Sequence, residues 1–183
     1  GDTNWTAAYS ISANGASAGV AWIRINYKDL ASNEGSTVSA VTDGSQVMID
    51  LTAPTLSTVT IASDNALDST MANAGDTITL SITASEPIIT PLVSIKGQPA
   101  TVSGSGTSFT ATYTVDAGQV SEGLVYILVE FEDLASNSGA DVLSVTDTSS
   151  VTVDLTAPTL STMSIASSNT ADSTLANADD TIT

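Results

Sequence analysis

The chain has no cysteine and no histidine, and its positive charges are only Arg24, Lys28 and Lys96. Without cysteine there is no disulfide and no thiolate nucleophile. Without histidine there is no imidazole base, and the commonest transition-metal ligand is missing. A Ser-His-Asp set is therefore excluded. So few cations leave a formal net charge of −17. Nucleic acid and anionic membrane surfaces are recognised through Lys and Arg, so both are poor partners. No apolar run approaches the ~20 residues that span a bilayer, so membrane insertion is not expected. Ser103-Gly104-Ser105-Gly106 lacks the lysine and the strand–helix context of a phosphate-binding loop. A paired-carboxylate hydrolase needs its acids on a shaped cleft, and the acids here fall in turns. The expectation is that the chain is not an enzyme.

What the chain does contain is itself, twice. Residues 1–79 return as residues 105–183 without a gap, each matched pair 104 residues apart and roughly half of the positions identical. Asp29-Leu30-Ala31-Ser32-Asn33 returns as Asp133-Leu134-Ala135-Ser136-Asn137. Asp50-Leu51-Thr52-Ala53-Pro54 returns as Asp154-Leu155-Thr156-Ala157-Pro158. A repeat of about 100 residues is too long for a solenoid unit and fits one small domain.

Thr, Ser, Val and Ile dominate, Gly and Asn punctuate, and no helix-period stretch stands out, which is a β composition. Within the complete repeat the alternation predicts seven strands. They lie near Ser57–Ala62, Thr77–Ala84, Pro91–Lys96, Ala100–Ser103, Ser108–Val115 and Leu124–Glu132, with the last between Val142 and Asp154 and broken near Asp147. Val93, Ile95, Phe109, Ala111, Ile127, Val129, Phe131, Val151 and Val153 are expected to point inward, and Trp5, the counterpart of Phe109, to be core as well. Trp22 and Tyr126 share an outward position, where an aromatic covers a cross-strand neighbour or meets a partner. Seven alternating strands in about 100 residues is the pattern of an immunoglobulin-like sandwich, so the expected fold is all-β, with tandem immunoglobulin-like sandwiches joined end to end.

Each proline joint marks a boundary, because proline fixes φ, lacks an amide donor and holds the preceding residue extended. The expected division is Gly1–Ala53, the last three strands of one repeat; Pro54–Ala157, a complete repeat; and Pro158–Thr183, the first strand or two of the next. Gly1-Asp2-Thr3-Asn4 does not read as the start of a signal peptide. Both ends cut through predicted strands, and so few strands cannot bury a core. This predicts either an excerpt of a longer chain or ends that pack on other copies.

Comparing the copies sorts the acids. Asp29/Asp133, Asp43/Asp147, Asp50/Asp154, Asp68/Asp172 and Asp76/Asp180 are acidic in both, in loops or at the joints. Glu132 is replaced by Lys28, Glu130 by Asn26, Asp141 by Thr37 and Asp64 by Ser168. In a sandwich of this topology the first-to-second strand loop, Ser63–Gly75, lies at the C-terminal end, and the sixth-to-seventh loop, Asp133–Asn137, at the N-terminal end. The joint at Pro54 would then gather Asp50, Asp133 and Asn137, and the joint at Pro158 would gather Asp64, Asp68, Asp76 and Asp154. Carboxylates that face each other without Lys or Arg repel, and a calcium ion with six to eight oxygen ligands relieves that repulsion. These residues are the candidate calcium ligands. The competing reading is that Asp and Asn stand there as turn formers.

Asp133-Leu134-Ala135-Ser136-Asn137 and Val153-Asp154-Leu155-Thr156-Ala157-Pro158, led in by Ser149-Ser150-Val151-Thr152, resemble the bacterial Ig-like repeats of giant cell-surface adhesins. The family's usual loop reads Asp-x-Ala-Gly-Asn, and Ser32 and Ser136 stand here in place of that Gly. The resemblance covers the whole chain and implies an extracellular, cell-surface location and a stalk of tandem sandwiches, often rigidified by calcium at the joints. The function expected is a structural module of a stalk, sheath or filament. Its partners would be neighbouring Ig-like repeats of the same or identical chains, with lateral self-assembly open. The alternative is a spacer or carbohydrate-binding module of a secreted enzyme.

Overall fold

The computed structural model describes residues 4–12 and 15–183; the start of the chain at Gly1-Asp2-Thr3 lies outside them. The described residues form an all-β structure without helices. Two short strands, β1 (Gly19–Val20) and β2 (Met48–Ile49), pair near the N-terminus. Then come β3 (Leu56–Ser63), β4 (Met71–Ala72), β5 (Thr77–Ala84), β6 (Leu92–Ile95), β7 (Gln98–Pro99), β8 (Thr101–Ser105), β9 (Ser108–Thr114), β10 (Gly123–Leu124), β11 (Ile127–Glu130) and β12 (Thr152–Val153).

The strands assemble by their period-2 pattern. In β5, Ile78, Leu80 and Ile82 alternate with Thr77, Thr79, Ser81 and Thr83, so one face is apolar and the other hydroxylated. Antiparallel register sets Ile82 opposite Phe109, Leu80 opposite Ala111, and Val59 opposite Ile82. The result is a four-stranded antiparallel sheet in the order β3-β5-β9-β8. A second layer runs β11-β6-β7, with Val129 opposite Val93 and Ile127 opposite Ile95. It continues through β10-β12-β4, because Val125 donates to the Val151 carbonyl at 2.9 Å and Val129 to Val142 at 2.9 Å. The inward side chains of both layers form one hydrophobic cluster, consistent with a β-sandwich.

The seven strand positions expected between 57 and 154 are all occupied by strand or bridge pairing. Two elements were not expected. β7 falls between the third and fourth expected strands and pairs with β6, Ile95 opposite Gln98. β4 lies inside the Ser63–Gly75 segment read as loop, and pairs in parallel with β12, Met71 opposite Thr152. Two residues carry too little pattern for a period to show. The sixth-to-seventh connection is pinned in another way: a Cβ on Gly139 would collide with the ring of Phe131, so the aromatic lies directly over the glycine across the turn.

β3 joins the two layers. Its inner edge pairs with β5, while its Val59 amide donates to Thr146 Oγ1 at 2.8 Å and its Ile61 amide to Ser149 Oγ at 3.0 Å. The Thr146 amide returns a bond to the Val59 carbonyl at 2.8 Å.

Outside this core the local structure repeats, but the burial does not. The Gly123↔Val153 and Val129↔Val142 pairings recur as Gly19↔Ile49 and Ile25↔Val38. The Ser63↔Ile78 pairing recurs as Ser167↔Ile182. Yet the buried hydrophobic side chains of the described residues all lie between Val59 and Val153. Trp5, expected in the core, is a correction: it is 87% exposed, whereas its counterpart Phe109 is 4% exposed. Phe109 is covered because β5 and β8 flank it in the register above, and no described strand flanks Trp5. No helix among the described residues is long and apolar enough to cross a membrane.

Candidate metal centre at an acidic joint

Three chain segments meet where residues 50–54 enter the central sandwich. Asp50 directly follows β2, and its Oδ1 accepts the Thr52 amide at 3.0 Å in a local Asx-type turn. Pro54 is fully buried, and the chain is fastened on its far side by Thr55 donating to Ser85 Oγ at 3.0 Å. Glu86-Pro87 follows β5, and the next residue, Ile88, bridges to Asp133. That bridge sets Glu86 beside the Asp133–Asn137 loop.

The loop is closed by its own acid. Asp133 Oδ1 accepts the amides of Ala135 and Asn137, each at 2.8 Å, and Oδ2 accepts Asn137 Nδ2 at 2.8 Å. Closing so tightly puts Ser136 in the left-handed region at φ 66°. The counterpart loop is built in the same way. Asp29 accepts from Ala31 at 2.9 Å and from Asn33 twice at 2.8 Å, with Ser32 at φ 68°. The difference lies in what packs on them: Asp29 is exposed, but Asp133 is 2% exposed. Asn137 Nδ2 also reaches out of its loop to the Asp50 carbonyl at 3.2 Å, tying the incoming chain to the sandwich.

Carboxylate oxygens of Asp50, Glu86 and Asp133 all lie within 4.8 Å of one another, the first two half-buried. The sole ion pair among the described residues is Lys28–Glu34, so no cation balances this triad. Burial pushes the Asp133 carboxyl up. The Asn137 side chain and amide, with the Ala135 and Ser136 amides, more than offset that and hold it below the ordinary carboxylate value. It stays charged at neutral pH. Oxygen ligands sit 2.3–2.6 Å from calcium, so two across one ion are at most about 5 Å apart. The triad is the right size, and a cavity of about 330 Å³ lined by Asp50, Glu86, Asp133 and Met48 opens onto it.

Of the seven residues predicted from sequence, Asp50, Asp133 and Asn137 are thus brought together. Asn137 faces Asp133 with its amide nitrogen and acts as a brace on it. Asp64, Asp68, Asp76 and Asp154 do not form a matching cluster among the described residues. Asp68 and Asp154 line one groove of about 530 Å³, where Asp68 Oδ1 accepts from Thr70 at 2.7 Å and Asp154 Oδ1 accepts the Thr156 amide at 3.0 Å. Asp64 accepts the Thr77 amide at 2.7 Å, and Asp76 accepts from Asn65 and Asn73, each at 2.8 Å. These are turn-forming roles. The joint at Pro158 is fastened instead by Glu122, which accepts the Leu155 amide at 2.9 Å and the Thr156 hydroxyl at 2.6 Å.

Sequence reasoning missed Glu86. Its counterpart would fall outside residues 1–183, so comparing copies could not single it out. The available signal was topological: it follows the second strand, at the same end as the Asp133 loop. Lys96 was also missed. It is buried at φ 54°, and its Nζ donates to the carbonyls of Leu124 at 2.8 Å, Gly123 at 3.1 Å and Glu122 at 3.5 Å. Tyr126 lies over it, with Nζ 5.7 Å from the ring centroid. That outward aromatic covers a cross-strand neighbour. Compared with known protein families, with curated proteins and with solved structures, the chain gives no match.

Proposed function

We propose that the chain is a structural module of a bacterial surface adhesin, made of tandem immunoglobulin-like sandwiches that build an extracellular stalk, sheath or filament, with calcium stiffening the joint at Pro54. The observation that carries this reading is the meeting of Asp50, Glu86 and Asp133 where one repeat hands over to the next. Strand order supports the immunoglobulin-like part: β3-β5-β9-β8 against β11-β6 matches the A-B-E-D sheet facing the C-F pair of that fold. The 104-residue repeat, in sequence and in local hydrogen bonding, supports the tandem part.

The task is mechanical. Sandwich cores resist unfolding, and the joint sets how far neighbouring repeats bend. Without a cation the three carboxylates repel and favour an opened joint. A bound calcium converts that repulsion into a clamp between the Asp50 segment and the Glu86 and Asp133 loops. Waters and backbone carbonyls complete a shell of six to eight oxygens.

Isothermal titration of the EDTA-stripped chain with calcium tests this. A binding heat is expected, with a rise in melting temperature. At a hundredfold excess over Kd the stabilisation is about 2.7 kcal/mol. Glu86→Gln and Asp50→Asn weaken binding, whereas Asp68→Asn does not. No heat and an unchanged melting temperature would end the calcium reading.

A further inference from the structure

The segment leading into the Asp133 loop and its counterpart before Asp29 build one groove twice, with opposite charge. Lys28 bridges to Glu34 as Glu132 bridges to Ser138, and Ile25 pairs with Val38 as Val129 pairs with Val142. Tyr27 lies over Gly35 as Phe131 lies over Gly139. The shape therefore recurs, as a cavity of about 470 Å³ beside Arg24 and Lys28 and one of about 340 Å³ beside Glu130 and Glu132. The charge does not recur. Where Thr37 donates to Asn26 at 2.8 Å in the first groove, the second has the two carboxylates of Asp141 and Glu130. Glu132 adds a third, and none of the three forms an ion pair among the described residues. The first groove carries Arg24 and Lys28, two of the chain's three cations; the third, Lys96, is buried. Lys28 spends little on Glu34, because that pair, at 2.9 Å, is exposed. The face is open in a complete repeat. Glu130 lies opposite Leu92 with β6 in place beside it, and Glu130, Asp141 and Leu92 are all exposed. Leu128 and Glu132, the counterparts of Arg24 and Lys28, keep partial exposure there.

We propose that this face is a lateral contact between copies of the chain, in which the Arg24 and Lys28 groove of one copy docks on the Glu130, Glu132 and Asp141 groove of a second. A guanidinium fork and an ammonium supply charge-assisted bonds to carboxylates that otherwise repel one another. Leu92, 72% exposed, and Ile89 line the acidic groove and take the aliphatic stems of those side chains. With no other exposed Lys or Arg, two chains of net charge −17 have no other place to meet by opposite charge. Asn137 holds the incoming chain at the Asp50 carbonyl, so one chain does not fold back to join its own two grooves. An acidic groove also rejects an acidic groove. Copies side by side must therefore be shifted by one repeat or reversed, and charge alone sets that register. The inference deepens the sheath or filament form of the function proposed above and rests on that reading for its setting, but it makes no use of the metal.

Sedimentation velocity of the 183-residue chain, from low micromolar to near millimolar and in EDTA, tests it. At about 0.15 M salt the Debye length is about 8 Å, so long-range repulsion is screened and a direct contact survives. Association that rises with concentration is expected. Arg24→Glu with Lys28→Glu makes both grooves acidic, and Glu130→Lys with Glu132→Lys makes both basic. Lysine already stands at the Glu132 position in the other copy, so circular dichroism should match the parent. Each double variant alone should associate at least roughly tenfold more weakly. Mixed, the two should associate again, although both keep a net negative charge. Arg24→Gln and Glu130→Gln, milder changes at exposed positions, should each weaken association in the same direction. A chain that stays monomeric throughout, association indifferent to these substitutions, or a mixture that stays apart overturns the proposal. Failure of calcium to bind leaves it standing, and a monomeric chain leaves the calcium reading standing.

Discussion

Ser136 sits at φ 66° because Asp133 draws three donors into one turn and leaves the fourth residue no other conformation. A residue with a Cβ is strained there, and glycine is not. Ser136→Gly is therefore expected to stabilise the chain by about 1 kcal/mol, read as a shift in the urea midpoint; a loss of stability would show that the serine side chain holds something else in place. Lys96 makes the opposite case. Its ammonium donates to three carbonyls in a row, and Lys96→Met takes that charged donor away from them. A loss of about 2 kcal/mol is expected in the same denaturation assay. The Asp and Asn of the loop could be read from sequence, because their recurrence in both copies singles them out. The left-handed serine had only an indirect signal, the Gly that stands at its position in the repeats the loop resembles. The ammonium's partners had none, since they lie across a sheet and far along the chain.

A strand's pattern declares its faces, but the neighbouring strand decides whether the apolar face is buried. Ile78 and Ile182 are the same residue in the two copies, each beside the same bridge to Ser63 or Ser167. Ile78 is fully buried and Ile182 is exposed. Ile78→Ala should cost 2–5 kcal/mol, roughly, and Ile182→Ala less than about 0.5 kcal/mol, when both are measured by urea unfolding of dilute protein. Equal effects would mean that the terminal segment buries Ile182 in solution. At this scale most of the sheet was legible: Thr77–Ala84 is the strand that the alternation predicts, to the residue. β4 was not, because two residues hold no period and their parallel partner is far along the chain. Trp5 was misplaced for the same reason in reverse: the pattern was sound and the covering sheet was missing.

Across the whole molecule the charge works in two directions. At neutral pH the net charge of −17 pushes the chain apart. Protonation relieves this as pH falls toward the isoelectric point near 4.1. Against this stand carboxyls held below their ordinary values by hydrogen bonds: Asp68 by the Thr70 hydroxyl, Asp76 by the Asn73 amide, Asp147 by the Ser149 hydroxyl and Glu122 by the Thr156 hydroxyl. A depressed folded-state value stabilises the fold above the unfolded value, 3.8 for Asp and 4.5 for Glu, and this is lost as pH falls through the folded one. In EDTA, stability should therefore peak near pH 4–5 and drop steeply below it. Chemical denaturation across pH checks this, and a maximum above pH 7 would contradict it.

The sequence by itself determined the repeat, the strand periods, the turn chemistry of Asp and Asn, and the meeting of Asp50 with the Asp133–Asn137 loop. All of these depend on neighbours a few residues away, or on an order of strands that alternation and turns dictate. The turns show it best, since Asp29 and Asp133 close identical loops whether or not anything covers them. Only the tertiary structure decided which copy of a residue is buried, that Glu86 completes the acidic triad, and that Glu122 fastens the second joint where a cluster of acids was expected. Burial and charge proximity are properties of pairs brought together from distant parts of the chain. Two copies of one sequence can share every local bond and still differ in both.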